Sequence, residues 1–275
     1  MAILEVGLGG RLDAVNVFEP SCTIVTSVDL DHMEFLGDTR ESIGAEKAGV
    51  FRANKPAICG DQQPPQSLIE YAQKIGADLR LIQRDFNFEL LPTGWNYHGK
   101  DSDVASLPMP ALKGDFQLEN AACVLTAIES LQAQLPVRVE AIAQGLRAVT
   151  LRGRFQTVAH QPDVILDVAH NPHAAKALAL NLDAMGFFPC THAVLGAMED
   201  KDLLGLIKPL LPMVQRWYFC DLPTPRASSA SSLKHQFQAL ASLDQASMGE
   251  FSDPSLALAQ ALRNADPADR ILVFE

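Results

Sequence analysis

A carboxylate in an apolar segment near the start of the chain is the first candidate for chemistry. Glu5 lies in Ile3–Val6, which the apolar pattern predicts to be a short buried strand. A buried carboxylate is unfavourable unless a cation, a hydrogen-bond donor or a metal ion compensates its charge. Glu5 is therefore a candidate metal ligand, and pairing with a nearby lysine or arginine is the structural alternative.

A second group of ionisable residues follows the predicted strand Thr23–Ser27. Asp29, Asp31 and His32 come next in the chain, at the carboxyl end of a strand, where parallel sheets bind their ligands. Mg²⁺ prefers oxygen ligands, so the histidine fits that ion less well than the two carboxylates. A metal or substrate site and a purely structural histidine both remain open.

Lys47 lies in the predicted helix Arg40–Val50, next to Ala48 and Gly49. Small neighbours predict that another segment packs closely against this face of the helix. Pairing with Glu46, or simple solvation, is the alternative for a lysine at this position.

The segment DVAHNPHAA combines a strand end, a helix start and several ionisable side chains. Asp167 ends a predicted strand, Asn171 is the expected N-cap, and Pro172 fits the first helical position. Helix N-termini offer N–H groups to anions, and His170 and His173 lie in the same turn. This pattern predicts a nucleotide-binding loop.

The glycine-rich turn EVGLGGRLD matches neither common phosphate-binding pattern. Gly7, Gly9 and Gly10 give G-x-G-G, and Leu12 stands where a dinucleotide fingerprint has its third glycine. The sequence G-x-x-x-x-G-K-[ST] does not occur in these 275 residues. The pattern therefore argues against a dinucleotide-dependent oxidoreductase.

Composition limits the classes of protein that could carry these residues. The chain is 48% hydrophobic and has a formal net charge of −11, which argues against duplex nucleic acid or an anionic membrane as the main partner. Its five cysteines have no metal-binding spacing, and we expect reduced, buried thiols. There is no signal-peptide pattern or membrane-length apolar run, so we expect a cytoplasmic protein.

The elements that must position these residues alternate between strands and helices. The pattern predicts an α/β fold with two domains, residues 1–150 and 151–275, joined near the sequence Arg-Gly-Arg at 152–154. An antiparallel meander is expected within 86–107, followed by two helices starting at about Asp115 and at Val137. Asp38 and Glu41 are the predicted capping box of the helix that carries Lys47. The second domain is predicted to be a doubly wound α/β domain.

Five segments, read together and in order, resemble one family. They are EVGLGGRLDAVN, LDHMEFLGDTRESIGAEKAGVF, LRGRFQ, DVAHNPHAA and GAMEDKD. These segments are similar to the bacterial bifunctional dihydrofolate synthase/folylpolyglutamate synthases of the Mur ligase superfamily. The resemblance implies a P-loop-type Mur ligase central domain, here truncated, followed by a smaller Rossmann-like C-terminal domain.

The resemblance also implies an activity and a set of site residues. The activity is ATP-dependent addition of L-glutamate to dihydropteroate and to folates through an acyl phosphate, with Mg²⁺ as the metal. Glu5 and His32 match metal ligands, and Lys47 matches a lysine that forms a carbamate with carbon dioxide. The remaining matches are substrate-binding residues (Leu12, Asp13, Ala14) and ATP-binding residues (Asn120, Arg154, Asp167, His170).

The family's phosphate loop lies upstream of the turn at Glu5, so the resemblance implies that this chain is an incomplete ligase, whose full-length parent is expected to be a monomer. Two other functions stay open: a nucleotide-binding remnant without catalysis, and a Mur-type ligase acting on a cell-wall peptide. Exposed apolar strand edges near residue 2 are expected to make the chain aggregate.

Overall fold

Parallel strands alternating with helices form the frame of this α/β protein. The structure is a computed structural model and describes residues 1–114, 116–240 and 248–275. The chain divides into two units, Met1–Ala111 with Asp115–Val149, and Leu112–Gly114 with Thr150–Glu275. Each unit has its own hydrophobic core.

The first unit combines a parallel sheet, an antiparallel sheet and helices. Its strands are β1 (Thr23–Val25), β2 (Pro56–Cys59), β3 (Asp78–Leu81), β4 (Asn87–Leu91), β5 (Gly94–His98) and β6 (Asp103–Leu107). Its helices are α1 (Met33–Leu36), α2 (Arg40–Ala48), α3 (Gln66–Ile75), α4 (Phe116–Leu131) and α5 (Val139–Ala148), with a 3-10 helix at Ala14–Val17. The predicted meander is confirmed as β4–β6, whereas the predicted helix start at Asp115 lies outside the described residues.

The parallel sheet β1-β2-β3 is covered on both faces. Successive side chains of a strand point to opposite faces, so Ala57 and Cys59 of β2 join the core under α2 and α3, whereas Ile58 joins the core under α4 and the meander. A sheet buried in this way has apolar runs rather than polar alternation. The helices α2 and α3 on one face, and α4 with the meander on the other, hold the loops after β1 and β2 at one edge of the sheet.

Helix α2 begins one residue later than the capping prediction. Thr39 is the N-cap, and its hydroxyl accepts a hydrogen bond from the Ser42 N–H at 3.1 Å while the Ser42 side chain contacts the Thr39 N–H. The predicted pair of Asp38 and Glu41 is wrong. Glu41 instead accepts hydrogen bonds from backbone N–H groups at the start of α3, so a tertiary contact replaces the expected local one.

The second unit is built on a six-stranded sheet in the order β11-β10-β9-β12-β8-β7. Its strands are β7 (Gln156–Ala159), β8 (Asp163–Asp167), β9 (Thr191–Leu195), β10 (Arg216–Cys220), β11 (Met248–Phe251) and β12 (Arg270–Phe274). Its helices are α6 (Pro172–Ala184), α7 (Leu203–Ile207), α8 (Ala230–Leu240) and α9 (Pro254–Asn264). β7 is antiparallel to β8, and the other pairs are parallel.

Helices cover both faces of this sheet, as a doubly wound domain requires. Ile165 and Leu272 belong to the core on one face, and Val164 and Ile271 belong to the core on the other. The fold class expected for this half of the chain, a Rossmann-like α/β domain, is confirmed.

The second unit differs from the sequence prediction in its edge strands and in the length of one helix. The edge strands β7 and β11 were not predicted, because backbone pairing with a neighbour defines them more than hydrophobic periodicity does. Helix α7 is shorter than the predicted Lys201–Leu211, since Asp202 caps its start and Pro209 has no backbone N–H to continue the helical hydrogen bonds. In the part of the chain that the structure describes, no helix is long and apolar enough to cross a membrane.

Candidate functional site

The side chain of Asp13 organises the glycine-rich turn at residues 7–16. Its Oδ2 accepts hydrogen bonds from the backbone N–H groups of Gly7 and Leu8 at 3.0 and 3.1 Å, and its Oδ1 accepts one from Val15 at 2.9 Å. These donors hold the pKa of Asp13 below its ordinary value, with the Val15 N–H contributing most. Asp13 therefore fixes the backbone of this turn.

Two glycines allow the turn to lie directly against the C-terminal end of α2. A Cβ atom on Gly10 would lie 2.5 Å from the carbonyl oxygen of Glu46 and 2.9 Å from that of Lys47, and a Cβ on Gly49 would lie 2.4 Å from the Arg11 Cα. The Arg11 N–H donates to the Glu46 carbonyl at 2.8 Å, and the Arg11 guanidinium binds the Glu46 carboxylate. The prediction that another segment packs closely against the Lys47 face of the helix is confirmed.

Lys47 is half-buried beside this contact. Its ammonium group makes no hydrogen bond or ion pair with the residues that the structure describes. Glu46, the partner considered in the alternative interpretation, pairs with Arg11 instead. Lys47 is thus held by its backbone while its side chain remains available for chemistry.

Glu5 does not lie in a buried strand, so that part of the sequence prediction is wrong. Residues 1–6 have no regular secondary structure, Ile3 is 85% exposed, and Glu5 is exposed as well. An apolar segment becomes a strand only when a neighbouring strand accepts its backbone hydrogen bonds, and β1 pairs with β2 rather than with Ile3–Val6. The Glu5 carboxylate is therefore solvated and needs no buried cation.

Leu12 and Ala14 lie on the outside of the turn that Asp13 fixes. Leu12 is 81% exposed, and Ala14 is exposed as the first residue of the 3-10 helix. A large exposed apolar side chain on an ordered backbone offers contact area to an apolar ligand. The three residues with a predicted substrate role are consecutive and share this one turn.

His32 has an unusual backbone conformation at the start of α1. Its φ and ψ angles are 49° and 42°, in the left-handed region, and its N–H donates to the Asp31 carboxylate at 2.9 Å. The His32 Nε2 lies 3.9 Å from the Asp31 Oδ1. Residues in sparsely populated backbone regions are found at functional sites more often than elsewhere, and His32 is oriented outward, half-exposed, after β1.

Asp61 is a positioning residue that sequence reasoning missed. It is buried, its Oδ2 accepts a hydrogen bond from the Val28 N–H at 2.7 Å, and its Oδ1 accepts bonds from Arg40 at 2.9 Å and from the Gln63 N–H at 2.8 Å. It joins the loop after β1 to the loop after β2 and to the start of α2. Val28 is 33 residues away in sequence, so no local pattern signals this role.

The sequence prediction gives the metal two protein ligands, Glu5 and His32. Among the described residues, the group of three His, Cys, Asp or Glu side chains close enough to share one ion contains neither of them. One carboxylate and one imidazole fit an ion that keeps several waters and is held together with substrate phosphates, as Mg²⁺ sites commonly are.

Asp167 organises a turn in the second unit. Its Oδ2 accepts a hydrogen bond from the Phe155 N–H and its Oδ1 one from the Ala169 N–H, both at 2.8 Å. Burial raises the pKa of this carboxyl above its ordinary value, although the two N–H groups and the nearby Arg154 guanidinium act in the opposite direction. Two of the predicted ATP-binding residues, Arg154 and Asp167, thus lie together.

His170 follows in the same turn, and its Nδ1 donates to the Val168 carbonyl at 2.9 Å. That bond leaves the Nε2 atom of the neutral ring as an acceptor. The N-cap prediction for α6 is confirmed, since the Asn171 side chain accepts from the Ala174 N–H at 2.9 Å. With that N–H engaged and no N–H on Pro172, the helix start offers an anion fewer donors than expected.

Asn120 lies in the first turns of α4 and is half-buried. Its amide nitrogen donates to the Gln117 side chain at 3.2 Å, one turn earlier in the helix. This local bond gives no information about a ligand, so the nucleotide role of Asn120 rests on the resemblance alone.

Comparison with known proteins shows on which fold these turns lie. The sequence model of the Mur ligase glutamate ligase domain matches residues 153–274, which include the Asp167 turn and the six-stranded sheet. A solved structure titled Escherichia coli FolC in complex with DHPP and ADP has a TM-score of 0.86 and 37% identity, covering 98% of this chain. The chain carries a Mur ligase glutamate ligase domain. Both the glycine-rich turn and the Asp167 turn therefore lie on a Mur ligase fold.

Two similar proteins have the same bifunctional description. The dihydrofolate synthase/folylpolyglutamate synthase of Escherichia coli K12 is 40% identical over 233 residues, which is 85% of this chain and 54% of that protein. A bifunctional folylpolyglutamate synthase/dihydrofolate synthase solved with Mn, AMPPNP and L-glutamate has a TM-score of 0.86 and 41% identity, covering 98% of this chain and 62% of that one. The chain thus spans between half and two thirds of the length of these relatives.

Proposed function

We propose that this chain forms part of an ATP-dependent ligase that joins L-glutamate to dihydropteroate and to folates. The observation that carries the proposal is the match along 98% of the chain to an enzyme solved with a nucleotide analogue, a divalent metal and L-glutamate. The close packing of the glycine-rich turn on the helix of Lys47 supports it, because this contact holds the turn of the three proposed substrate residues against the helix that carries Lys47.

The proposed reaction has two steps. A carboxylate oxygen of the pteroate or folate attacks the γ-phosphorus of ATP, which gives an acyl phosphate and ADP. The amino group of L-glutamate then attacks the acyl carbon, phosphate leaves with the bonding electrons, and the nitrogen loses a proton as the amide forms. In such phosphoryl transfers the protein contributes chiefly by positioning the groups and by stabilising negative charge.

Leu12, Asp13 and Ala14 are assigned to the pteroate. Leu12 offers its exposed apolar side chain to the ring system, and Asp13 holds the turn in shape through its three backbone hydrogen bonds. A preformed binding surface avoids the entropy cost of ordering the turn when substrate binds.

Lys47 is assigned a catalytic role as a carbamate. The ammonium group loses one proton, and the resulting amine adds to carbon dioxide and loses a second proton, so that a cationic side chain becomes an anionic carbamate. The absence of an ion pair between Lys47 and the other described residues supports this assignment, because a lysine that already pairs with a carboxylate resists deprotonation.

Glu5 and His32 are assigned to the divalent metal, Mg²⁺. The metal supplies positive charge that neutralises the phosphates. Arg154, Asp167, His170 and Asn120 are assigned to ATP: Arg154 offers a guanidinium to phosphate oxygens, and the Nε2 of His170 is an acceptor for a nucleotide hydroxyl or amine. The partners are small molecules, with no nucleic acid and no membrane, in a monomeric cytoplasmic enzyme.

A coupled assay tests this function directly. The purified 275-residue chain is incubated with ATP, Mg²⁺, dihydropteroate and L-glutamate, and dihydrofolate and ADP are quantified beside a full-length relative. We expect dihydrofolate and ADP in equal amounts from the full-length relative. From the 275-residue chain we expect dihydropteroate binding with little or no product, because the sequence G-x-x-x-x-G-K-[ST] does not occur in it.

Two results would overturn the proposal. ATP binding without dihydropteroate binding, beside a relative that binds both, would favour a nucleotide-binding protein without catalysis. Turnover with a UDP-linked cell-wall peptide in place of dihydropteroate would favour the other class of Mur ligase.

A further inference from the structure

Three metal-ligating side chains meet in the second unit, away from the residues discussed above. The Cys190 Sγ, a ring nitrogen of His192 and a carboxylate oxygen of Asp269 all lie within 4.8 Å of one another. His192 and Asp269 are buried, whereas Cys190 is half-buried. Among the described residues, this is the His, Cys, Asp or Glu group whose spacing suits a single ion.

The sheet topology brings these residues together at its amino edge. Cys190 immediately precedes β9, His192 is its second residue, and Asp269 immediately precedes β12, which pairs with β9 in parallel. The Arg270 N–H donates to the Cys190 carbonyl at 3.1 Å and fixes the two strand starts side by side. Asp167 ends β8, so its turn lies at the opposite, carboxyl edge of the same sheet.

We propose that Cys190, His192 and Asp269 form a binding site for a zinc ion. A thiolate, an imidazole and a carboxylate are the ligands that Zn²⁺ takes in tetrahedral sites, and three protein ligands leave the fourth position for water. Half-exposed Cys190 gives the ion access from solvent.

The separation between His192 and Asp269 fits an ion better than it fits a strong hydrogen bond. The His192 Nε2 lies 3.4 Å from the Asp269 Oδ2, whereas charge-assisted hydrogen bonds are typically about 2.7–2.9 Å long. Tetrahedral geometry with metal bonds of about 2.1 Å to nitrogen and to oxygen places those two atoms about 3.4 Å apart.

Further contacts orient these three ligands, as the residues that hydrogen-bond the metal ligands do in known zinc sites. The His192 Nδ1 lies 3.0 Å from the Tyr218 hydroxyl, which also accepts a hydrogen bond from the Asn264 amide at 3.1 Å. The Asp266 N–H donates to the Asp269 carboxylate at 2.9 Å. The imidazole and the carboxylate therefore have fixed orientations before any ion binds.

Zinc binding at this site must release a proton. Burial raises the pKa of the Cys190 thiol, and the carboxylates of Asp269 and Asp266 add to that shift, while the Arg216 guanidinium opposes it. The empty site thus holds a thiol at neutral pH. When Zn²⁺ binds, the sulfur keeps both electrons of the S–H bond and the proton goes to solvent, so affinity increases with pH until the thiol is ionised.

Cobalt spectroscopy on the full chain tests the site. Co²⁺ is titrated into the reduced protein, and the thiolate-to-cobalt charge-transfer band and the intensity of the visible bands of tetrahedral cobalt are followed, with Zn²⁺ then added as competitor. We expect one Co²⁺ per chain, both spectral features, and their loss on zinc addition.

Two variants and one matched control decide which side chains bind. Cys190→Ser should abolish the charge-transfer band and weaken binding at least about 100-fold, and Asp269→Asn should weaken binding while retaining that band. Cys22→Ser is the control, because Cys22 is also a half-buried thiol but belongs to the first unit. A wild-type spectrum without a thiolate band, or a band that survives Cys190→Ser, would overturn the proposal and leave a hydrogen-bonded cluster.

Discussion

Asp13 and Asp167 perform the same task in the two units with opposite electrostatic results. Each carboxylate accepts backbone N–H groups and thereby shapes a turn. The pKa of Asp13 is lowered because its hydrogen bonds outweigh desolvation, whereas the pKa of Asp167 is raised because desolvation by burial outweighs its hydrogen bonds.

The difference lies in what surrounds each turn. The Asp13 turn lies on the outside of helix α2 through close glycine contacts and carries an exposed leucine. The Asp167 turn follows a strand paired on both sides within a six-stranded sheet. We therefore expect changes in the first turn to affect chemistry more than folding, and changes in the second to affect folding first.

The largest expected effect is that of Lys47→Ala in a full-length version of the enzyme. If Lys47 forms the proposed carbamate, kcat should fall by orders of magnitude, while the thermal midpoint should change little because Lys47 makes no ion pair with another described residue. Lys74→Ala is the matched control, since Lys74 is also in the last turn of its helix. Equal activity in the two variants would show that Lys47 is an ordinary surface lysine.

Gly10→Ala should have the next largest effect. Its Cβ would collide with two backbone carbonyls of α2, so the turn must shift, and displacements of about 1 Å can cost about 100-fold in rate. We expect weaker dihydropteroate binding in an equilibrium titration. At Gly7, a Cβ would meet an atom of Asp13 at an ordinary 3.5 Å; if Gly7→Ala is as harmful as Gly10→Ala, close packing is not the cause.

Asp167→Asn should lower the free energy of unfolding of the second unit by about 1–3 kcal/mol. The amide retains one acceptor and turns a donor toward a buried N–H group, which is thereby left unsatisfied. Denaturant unfolding followed by tryptophan fluorescence measures the change. Asp13→Asn should destabilise less because Gly7 and Leu8, whose N–H groups it binds, are exposed to solvent. A larger loss of stability in Asp13→Asn than in Asp167→Asn would contradict this comparison.

The two aspartates should also respond oppositely to pH. With its folded pKa raised, Asp167 contributes stability below its ordinary value of 3.8 that is lost as pH rises through the folded pKa. With its folded pKa lowered, Asp13 contributes stability above 3.8 that is lost as pH falls through the folded pKa. The free energies of unfolding of the wild type and of both asparagine variants are measured as a function of pH. Asp167→Asn and Asp13→Asn should change the slope of the wild-type curve in opposite directions.

The smallest expected effect concerns association of the chain with itself. Large apolar side chains are exposed along residues 1–36, among them Ile3, Leu12, Phe18 and Phe35, and exposed apolar surface of this kind promotes aggregation. Light scattering should increase with concentration, and Phe35→Gln should reduce it slightly. A monodisperse sample with sharp cooperative thermal transitions would contradict this prediction.

Most of the fold could be predicted because burial leaves a periodic pattern in the sequence. The helix Gln66–Ile75 was predicted to the residue, and the meander and the alternation of the second unit were confirmed. The predictions failed where pairing rather than periodicity decides. Ile3–Val6 has the composition of a strand but no partner, while β7 and β11 have partners but little pattern.

The residues of the candidate site likewise include some that local sequence patterns predicted and others that they did not. The N-cap at Asn171 could be predicted because its hydrogen bond is local. The small residues beside Lys47 correctly indicated that another segment packs closely there. The positioning role of Asp61 could not be predicted, because its partners Val28 and Arg40 are distant in sequence. Cys190 and Asp269 are likewise separated by 78 intervening residues, so cysteine spacing could not suggest a metal site.

Most helices and central strands, the N-cap at Asn171 and the resemblance that leads to the proposed ligase activity could be predicted from the sequence alone. These depend on periodicity, on hydrogen bonds between near neighbours and on motif identity. The folded structure was needed to show that the glycine-rich turn lies on the helix of Lys47, that Glu5 is solvated, and that Cys190, His192 and Asp269 meet. These contacts depend on which strands pair and which backbone segments pack against each other, and both are defined only in the folded chain.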